Sequence, residues 1–96
     1  MPGDFLAALG ERVVVCDGGM GTSLYARGVQ INACFDELNL SQPHLVREVH
    51  RGFLSAGADV IETNTYLCNR FKLGPHGLEG RLREIILAGV RLARDE

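Results

Sequence analysis

Hydrophobic residues along the chain alternate between short continuous runs and longer stripes with helical spacing. Val13 to Cys16 form an uninterrupted run of mostly β-branched residues, which predicts a strand buried on both faces. A second strand is predicted over Asp59 to Tyr66, which begins apolar and ends polar. A short leading helix is predicted over Phe5 to Leu9, with Asp4 as its cap and Gly10 at its end.

Two longer amphipathic helices are predicted, one after each strand. The first has Ser41 as a candidate cap, Pro43 in its first turn and Gly57 as a left-handed exit. The second runs from Leu78 to Arg94, after a turn at residues 74–77. Its inner side is expected to carry Leu82, Ile85, Ile86, Gly89 and Ala93.

The order β, α, β, α predicts an α/β fold, because buried strands joined by a helix run parallel with a right-handed crossover. In such folds the carboxyl ends of the strands share one face, where ligands bind. Two polar segments fall there, Asp17-Gly18-Gly19 after the first strand and Glu62 to Thr65 at the end of the second. Two strands and two helices leave a sheet edge open, so we expect the chain to be part of a larger fold.

Composition narrows the functional classes. The 96 residues are 46% hydrophobic and carry ten Lys and Arg against twelve Asp and Glu, which disfavours a nucleic-acid-binding protein. The sequence has no apolar run long enough for a membrane span, and residues 1–4 do not resemble a secretory signal. Cys16, Cys34 and Cys68 are odd in number and lack paired spacing. We therefore expect reduced thiols and a cytoplasmic location.

Three motifs in order carry a family resemblance. Asp17-Gly18-Gly19-Met20-Gly21-Thr22, then Glu37-Leu38-Asn39, then residues 56–66 (AGADVIETNTY) resemble the opening of the homocysteine S-methyltransferase family. Residues 71–73 (FKL) and 76–79 (HGLE) are most similar to the bacterial branch in which a methylenetetrahydrofolate reductase domain is fused C-terminally. The resemblance extends over nearly all of the chain from Val13 onward.

The resemblance implies a (β/α)8 TIM barrel, of which this chain would be the first two βα units. Residues 1–96 would then be the truncated N-terminal part of a homocysteine-binding domain. Family members methylate the homocysteine thiol to give methionine, and a zinc ion held by three cysteine thiolates binds the substrate sulfur. The family's ligand positions fall outside this sequence, so we expect neither metal ligands nor catalytic residues here. The methyl donor stays open among a folate, a betaine-like compound and an S-methylated sulfonium.

The resemblance also implies which residues touch homocysteine. Asp17, with the backbone of Gly18 and Gly19, is expected to hold the amino-acid end of the substrate, and the alternative is an aspartate that caps the turn. Thr63, Asn64 and Thr65 are expected at the barrel mouth as further substrate-binding residues, and the alternative is hydrogen bonding within the rim.

Two other interpretations compete with this one. The glycines of residues 18–21 suggest a nucleotide- or phosphate-binding half-domain, although they match neither the dinucleotide fingerprint nor the P-loop spacing. An inactive truncated fragment is the second. The three cysteines are interpreted as small, partly buried thiols rather than a zinc site, because 18 and 34 positions separate them.

Overall fold

A computed structural model describes residues 4–96 of the chain, and the part of the signal-peptide prediction that concerns residues 1–3 lies outside that range. Its helices are α1 (Phe5–Glu11), α2 (Met20–Ala26), α3 (Leu38–Ser41), α4 (Pro43–Ser55), α5 (Arg70–Leu73) and α6 (Leu82–Arg94). Short 3-10 turns cover Phe35–Glu37, Gly74–His76 and Glu79–Arg81. Within the described range, no helix has the length and apolar character that crossing a bilayer requires.

Local signals explain where the helices begin and end. The Asp4 carboxylate accepts a hydrogen bond from the Leu6 amide at 2.9 Å, which confirms the predicted cap of α1, although α1 continues past Gly10. Gly57, with φ of +109°, confirms the left-handed exit after α4. The predicted cap at Ser41 is wrong, because its hydroxyl donates to a Glu37 carboxylate oxygen at 2.7 Å.

The two predicted strands are not formed as strands, which corrects the expectation of two regular βα units. Across residues 4–96 the pairing is reduced to one parallel bridge between Cys16 and Val60. The Val60 carbonyl accepts from the Asp17 amide at 2.9 Å, and the Val15 carbonyl accepts from the Val60 amide at 3.1 Å. Parallel strands are stable when both faces and edges are covered, whereas Val13 is 84% exposed and Val15 52% exposed. The parallel direction is confirmed, but the ladder is not extended.

The apolar core lies between the helices. One cluster joins α2, α3, α4 and α6 through Leu24, Leu38, Val46, Val49 and Leu92. A second cluster lies beside α5 and α6 and contains Cys34, Leu73 and Ile85. α3 and α6 also contact the segment from residue 59 to residue 67, through Asn39 of α3 and Gly89 of α6.

α6 approaches that segment closely at Gly89. The Asn39 side-chain amide donates to the carbonyls of Asn64, at 2.8 Å, and Ile85, at 3.1 Å. A Cβ atom added at Gly89 would lie 2.7 Å from the Asn39 amide nitrogen, 3.0 Å from the Thr65 methyl carbon and 3.2 Å from the Asn64 carbonyl oxygen. Because one of these atoms is backbone, the contact leaves no room for a side chain.

We predict that Gly89→Ala lowers the free energy of unfolding by about 1–3 kcal/mol, because the new methyl group overpacks this contact. Urea denaturation followed by circular dichroism measures the effect. Gly10→Ala is the matched control, since a Cβ at that helical glycine meets nothing within 4 Å. Alanine there should stabilise α1 by roughly 0.5–1 kcal/mol. Equal stability of Gly89→Ala and wild type would contradict the prediction.

α4 also buries a histidine without hydrogen-bond partners. His50 is fully buried, and within the described residues neither ring nitrogen has a partner. Burial lowers the pKa of His50 from its usual 6.5, while the negative charges of Asp17 and Glu96 oppose the shift. The unfolded chain therefore binds a proton at His50 more readily than the folded chain does. Protonation of His50 in the unfolded chain therefore lowers the free energy of unfolding as the pH falls below 6.5. Above pH 6.5 the histidine is mostly neutral in both states, and the full stability is present.

We predict that His50→Leu reduces the loss of stability between pH 7.5 and pH 5.5, because the substitution removes the group that must stay neutral when folded. At pH 7.5 the variant should be at least as stable as wild type, since no buried nitrogen is left unpaired. Thermal unfolding at both pH values measures this difference. His76→Leu, at an exposed position, is the control and should keep the wild-type dependence. The same pH dependence in all three proteins would refute the assignment.

Candidate functional site

Three segments enclose a cavity of about 540 Å³ beside the parallel bridge. Residues 17–21 form one wall and residues 62–67, without Thr65, form the facing wall. Phe35 and Asp36 close the gap between them. The cavity therefore lies where the two polar segments of the sequence were predicted to meet.

Asp17 connects the first two of these walls. Its amide donates to the Val60 carbonyl at 2.9 Å, and its Oδ2 accepts from the Glu62 amide at 3.0 Å. The carboxylate is thus held by the backbone of the opposite segment while it lines the cavity. Asp17 therefore joins the two walls by a hydrogen bond and also lies where it can contact a ligand in the cavity.

The glycines of the first wall bring the backbone close to aromatic rings. A Cβ at Gly18 would lie 3.0 Å from the Phe53 ring of α4, and one at Gly21 would lie 3.3 Å from Phe35. At Gly19 the carbonyl accepts from the Ser23 hydroxyl at 2.7 Å. The glycines therefore let the backbone approach protein side chains closely, and the contact at Gly18 packs the first wall onto α4.

The second wall contains two of the three predicted polar residues. Thr63 and Asn64 line the cavity, whereas Thr65 does not. The Thr63 and Thr65 hydroxyl oxygens are 2.7 Å apart, and the Thr65 methyl group points towards Gly89. Of the six predicted site residues, Thr65 does not line the cavity. The other five do: Asp17, Gly18, Gly19, Thr63 and Asn64.

Asn64 is held by a buried amide network. Its side-chain nitrogen donates to the Phe35 carbonyl and to the Asn39 side-chain oxygen, both at 3.0 Å. These bonds use both hydrogens of the Asn64 amide group, so the group fixes the wall in place. The contacts match the alternative of hydrogen bonding within the rim.

The sequence did not reveal Asp36 as a cavity residue. Residues 35–37 form a 3-10 turn, and Asp36 is only 2% exposed. The Asp36 Oδ2 accepts from the Leu67 amide at 2.6 Å and from the Cys68 thiol at 3.3 Å. An aspartate between Phe35 and Leu38 was the available signal, because a charged residue in an apolar segment needs partners when it is buried.

The cysteines do not provide a set of metal ligands. Cys16 is exposed, Cys34 is buried and Cys68 is partly buried. Burial, together with the hydrogen bond to Asp36 and the charge of that carboxylate, raises the pKa of Cys68 to about 12, so its thiol stays protonated at neutral pH. Among residues 4–96, no group of three or more His, Cys, Asp or Glu side chains could hold a metal ion.

Comparisons with known proteins relate this chain to one family of methyltransferases. The sequence model of the family described as homocysteine S-methyltransferase matches residues 14–96. The chain is 37% identical to a methionine synthase of Mycobacterium tuberculosis and 35% identical to one of Mycobacterium leprae, over 97 aligned residues in each case. Both alignments cover 95% of this chain and 8% of the relative, so the chain spans less than a tenth of their length.

A solved structure gives the same result in three dimensions. The metallated form of the homocysteine methyltransferase MmuM from Escherichia coli superimposes with a TM-score of 0.79 and 31% sequence identity. The superposition covers 93% of this chain and 32% of that one. The two structures therefore resemble one another over most of this chain and about a third of the neighbour.

Proposed function

Because this chain belongs to the homocysteine S-methyltransferase family, we propose that it forms the amino-acid-binding part of a domain that methylates homocysteine to methionine. The observation that carries the proposal is the cavity between residues 17–21 and 62–67, with the Asp17 carboxylate held in its wall. We propose that the complete domain is a (β/α)8 barrel and that its remainder completes the site.

The charges around the cavity suit the amino-acid end of homocysteine. Asp17, Asp36 and Glu62 line it, and no lysine or arginine of residues 4–96 does so. A carboxylate forms a charge-assisted hydrogen bond with an ammonium group, so Asp17 would bind the α-amino group. The backbone amides of Gly18 and Gly19 are the candidate donors for the substrate carboxylate. The same three carboxylates make a phosphate ligand unfavourable, and this argues against the nucleotide-binding alternative.

Zinc activates the substrate thiol in the family that this chain resembles, but the residues described here do not fit a zinc site. Residues 4–96 contain no group of three or more His, Cys, Asp or Glu side chains that could hold a metal ion, and the protonated Cys68 thiol is hydrogen-bonded to Asp36. We infer that the metal ligands lie in another part of the complete domain. In this arrangement, residues 17–21 and 62–67 bind and orient the amino-acid end of homocysteine, and the homocysteine thiol extends away from them.

Methionine formation tests the proposal directly. We expect the complete protein that carries this sequence to convert homocysteine and a methyl donor to methionine in the presence of zinc. The isolated 96-residue chain should form none, because residues 4–96 contain no group of three or more His, Cys, Asp or Glu side chains that could hold the metal. The assay runs both proteins against the three donor classes, with amino-acid analysis of the product. Methionine formation by the isolated chain would contradict the inference that the metal ligands lie in another part of the domain. A complete protein that is inactive with all three donors would contradict the proposed homocysteine methylation.

Asp17→Ala should weaken homocysteine binding by the complete protein at least tenfold, because a charge-assisted hydrogen bond contributes roughly 1.5–3 kcal/mol. Its zinc content should not change. Calorimetric titration with homocysteine and metal analysis give the two values. Asp59→Asn is the matched control, since Asp59 also anchors the bridge, through the Val15 amide, but lies outside the cavity. Loss of zinc from Asp17→Ala, or equal affinities for both variants, would show that Asp17 has another role.

A further inference from the structure

The second wall of the cavity is fastened at both ends by carboxylates from other segments. At one end the Asp17 Oδ2 accepts from the Glu62 amide at 3.0 Å. At the other end the Asp36 Oδ2 accepts from the Leu67 amide at 2.6 Å. The four residues between these two amides include Thr63 and Asn64, so the shape of this wall depends on both bonds.

The bond at Asp36 is a strong constraint because of where it lies. Asp36 is almost fully buried, and its Oδ2 also accepts from the Cys68 thiol at 3.3 Å. Burial raises the pKa of Asp36 above its usual value, and the hydrogen bonds from Cys68 and from the Leu67 amide oppose this shift only in part. Two donors meet at the same oxygen in a site with little water, where a hydrogen bond is electrostatically stronger than in bulk solvent.

Asp36 also couples the wall to the packed part of the chain. Its neighbour Phe35 contributes a carbonyl to the Asn64 amide at 3.0 Å, and Phe35 packs against the core cluster of α2, α3, α4 and α6. The 3-10 turn at residues 35–37 therefore carries two bonds to the second wall, one from a backbone carbonyl and one from a side chain. The carboxylate is the part of this support that a substitution can remove.

We propose that Asp36 is a positioning residue for the homocysteine site, which it serves by holding the Leu67 end of the second wall in its binding geometry. The proposal rests on the function proposed above. Asp36 acts through the backbone of residues 62–67, so its loss widens the cavity and weakens substrate binding. The chemical step on a bound substrate is left unchanged.

The test compares Asp36→Ala, Asp36→Asn and Cys68→Ala in the complete protein. Asp36→Ala should raise the KM for homocysteine about tenfold, the factor expected when a buried amide loses its hydrogen-bond partner, with kcat within about twofold of wild type. Asp36→Asn keeps an oxygen acceptor for the Leu67 amide and should restore most of the affinity. Cys68→Ala removes the weaker donor and should change KM by less than about twofold.

Several results would overturn the proposal. A merely structural role for Asp36 would reduce the amount of active enzyme, and so lower kcat at an unchanged KM. If Asp36→Ala does not fold, Asp36→Glu decides, because it keeps the charge and displaces the acceptor by one methylene. Unchanged homocysteine affinity in that variant contradicts the proposal, and a loss of threefold or more supports it. Calorimetric titration gives this affinity independently of turnover, so a wild-type protein that binds homocysteine without forming methionine contradicts the proposed function alone.

Discussion

Two asparagines form the buried contact on which the arrangement of this chain depends. The Asn39 amide donates to the Asn64 and Ile85 carbonyls, and the Asn64 amide donates to the Asn39 side chain and the Phe35 carbonyl. These bonds join α3, α6 and the cavity wall within a space from which water is excluded. An apolar replacement for either asparagine would leave carbonyl groups buried without partners, which costs more than the lost bond itself. Gly89 belongs to the same contact because it lets α6 approach the pair.

The two sides of the cavity are held by different combinations of contacts. The first wall, at residues 17–21, combines van der Waals contact of Gly18 with the Phe53 ring and hydrogen bonds at the Asp17 amide and the Gly19 carbonyl. The second wall is held through its backbone, because the amides at positions 62 and 67 donate to carboxylates of other segments and the carbonyl at position 64 accepts from Asn39. These three bonds are 2.6–3.0 Å long, within the range of well-formed hydrogen bonds. The side that carries Thr63 and Asn64 therefore has its backbone fixed at three positions by side chains from elsewhere in the chain.

The two long helices, α4 and α6, could be predicted from local signals, whereas the extent of the strands could not. Pro43, Gly57 and the apolar spacing of α4 act over a few residues, so the sequence contains them in readable form. Ser41 was misassigned as a cap because its hydroxyl has a partner one turn earlier, at Glu37. The length of a parallel ladder depends on neighbouring strands, and no pattern within Val13 to Cys16 reports whether such neighbours are present.

The part of the site that lies within the recognised sequence motifs could be predicted. The glycine segment and the polar end of residues 59–66 meet as expected at one cavity. Thr65 was included because the order of residues along an irregular segment does not show which side each one occupies. Asp36 was missed for a different reason, since its partner Leu67 is 31 positions away and nothing local marks the pair.

The parallel bridge has a consequence for the order of folding. Asp59 binds the Val15 amide across 44 positions of sequence, and closing a loop of that length costs conformational entropy that helix formation does not. Helices such as α4 gain their contacts locally and can form first. The cavity exists only once the loop has closed, because its walls lie at opposite ends of that loop. A substitution that slows the docking of α4 would therefore delay assembly of the binding site without touching any residue that lines it.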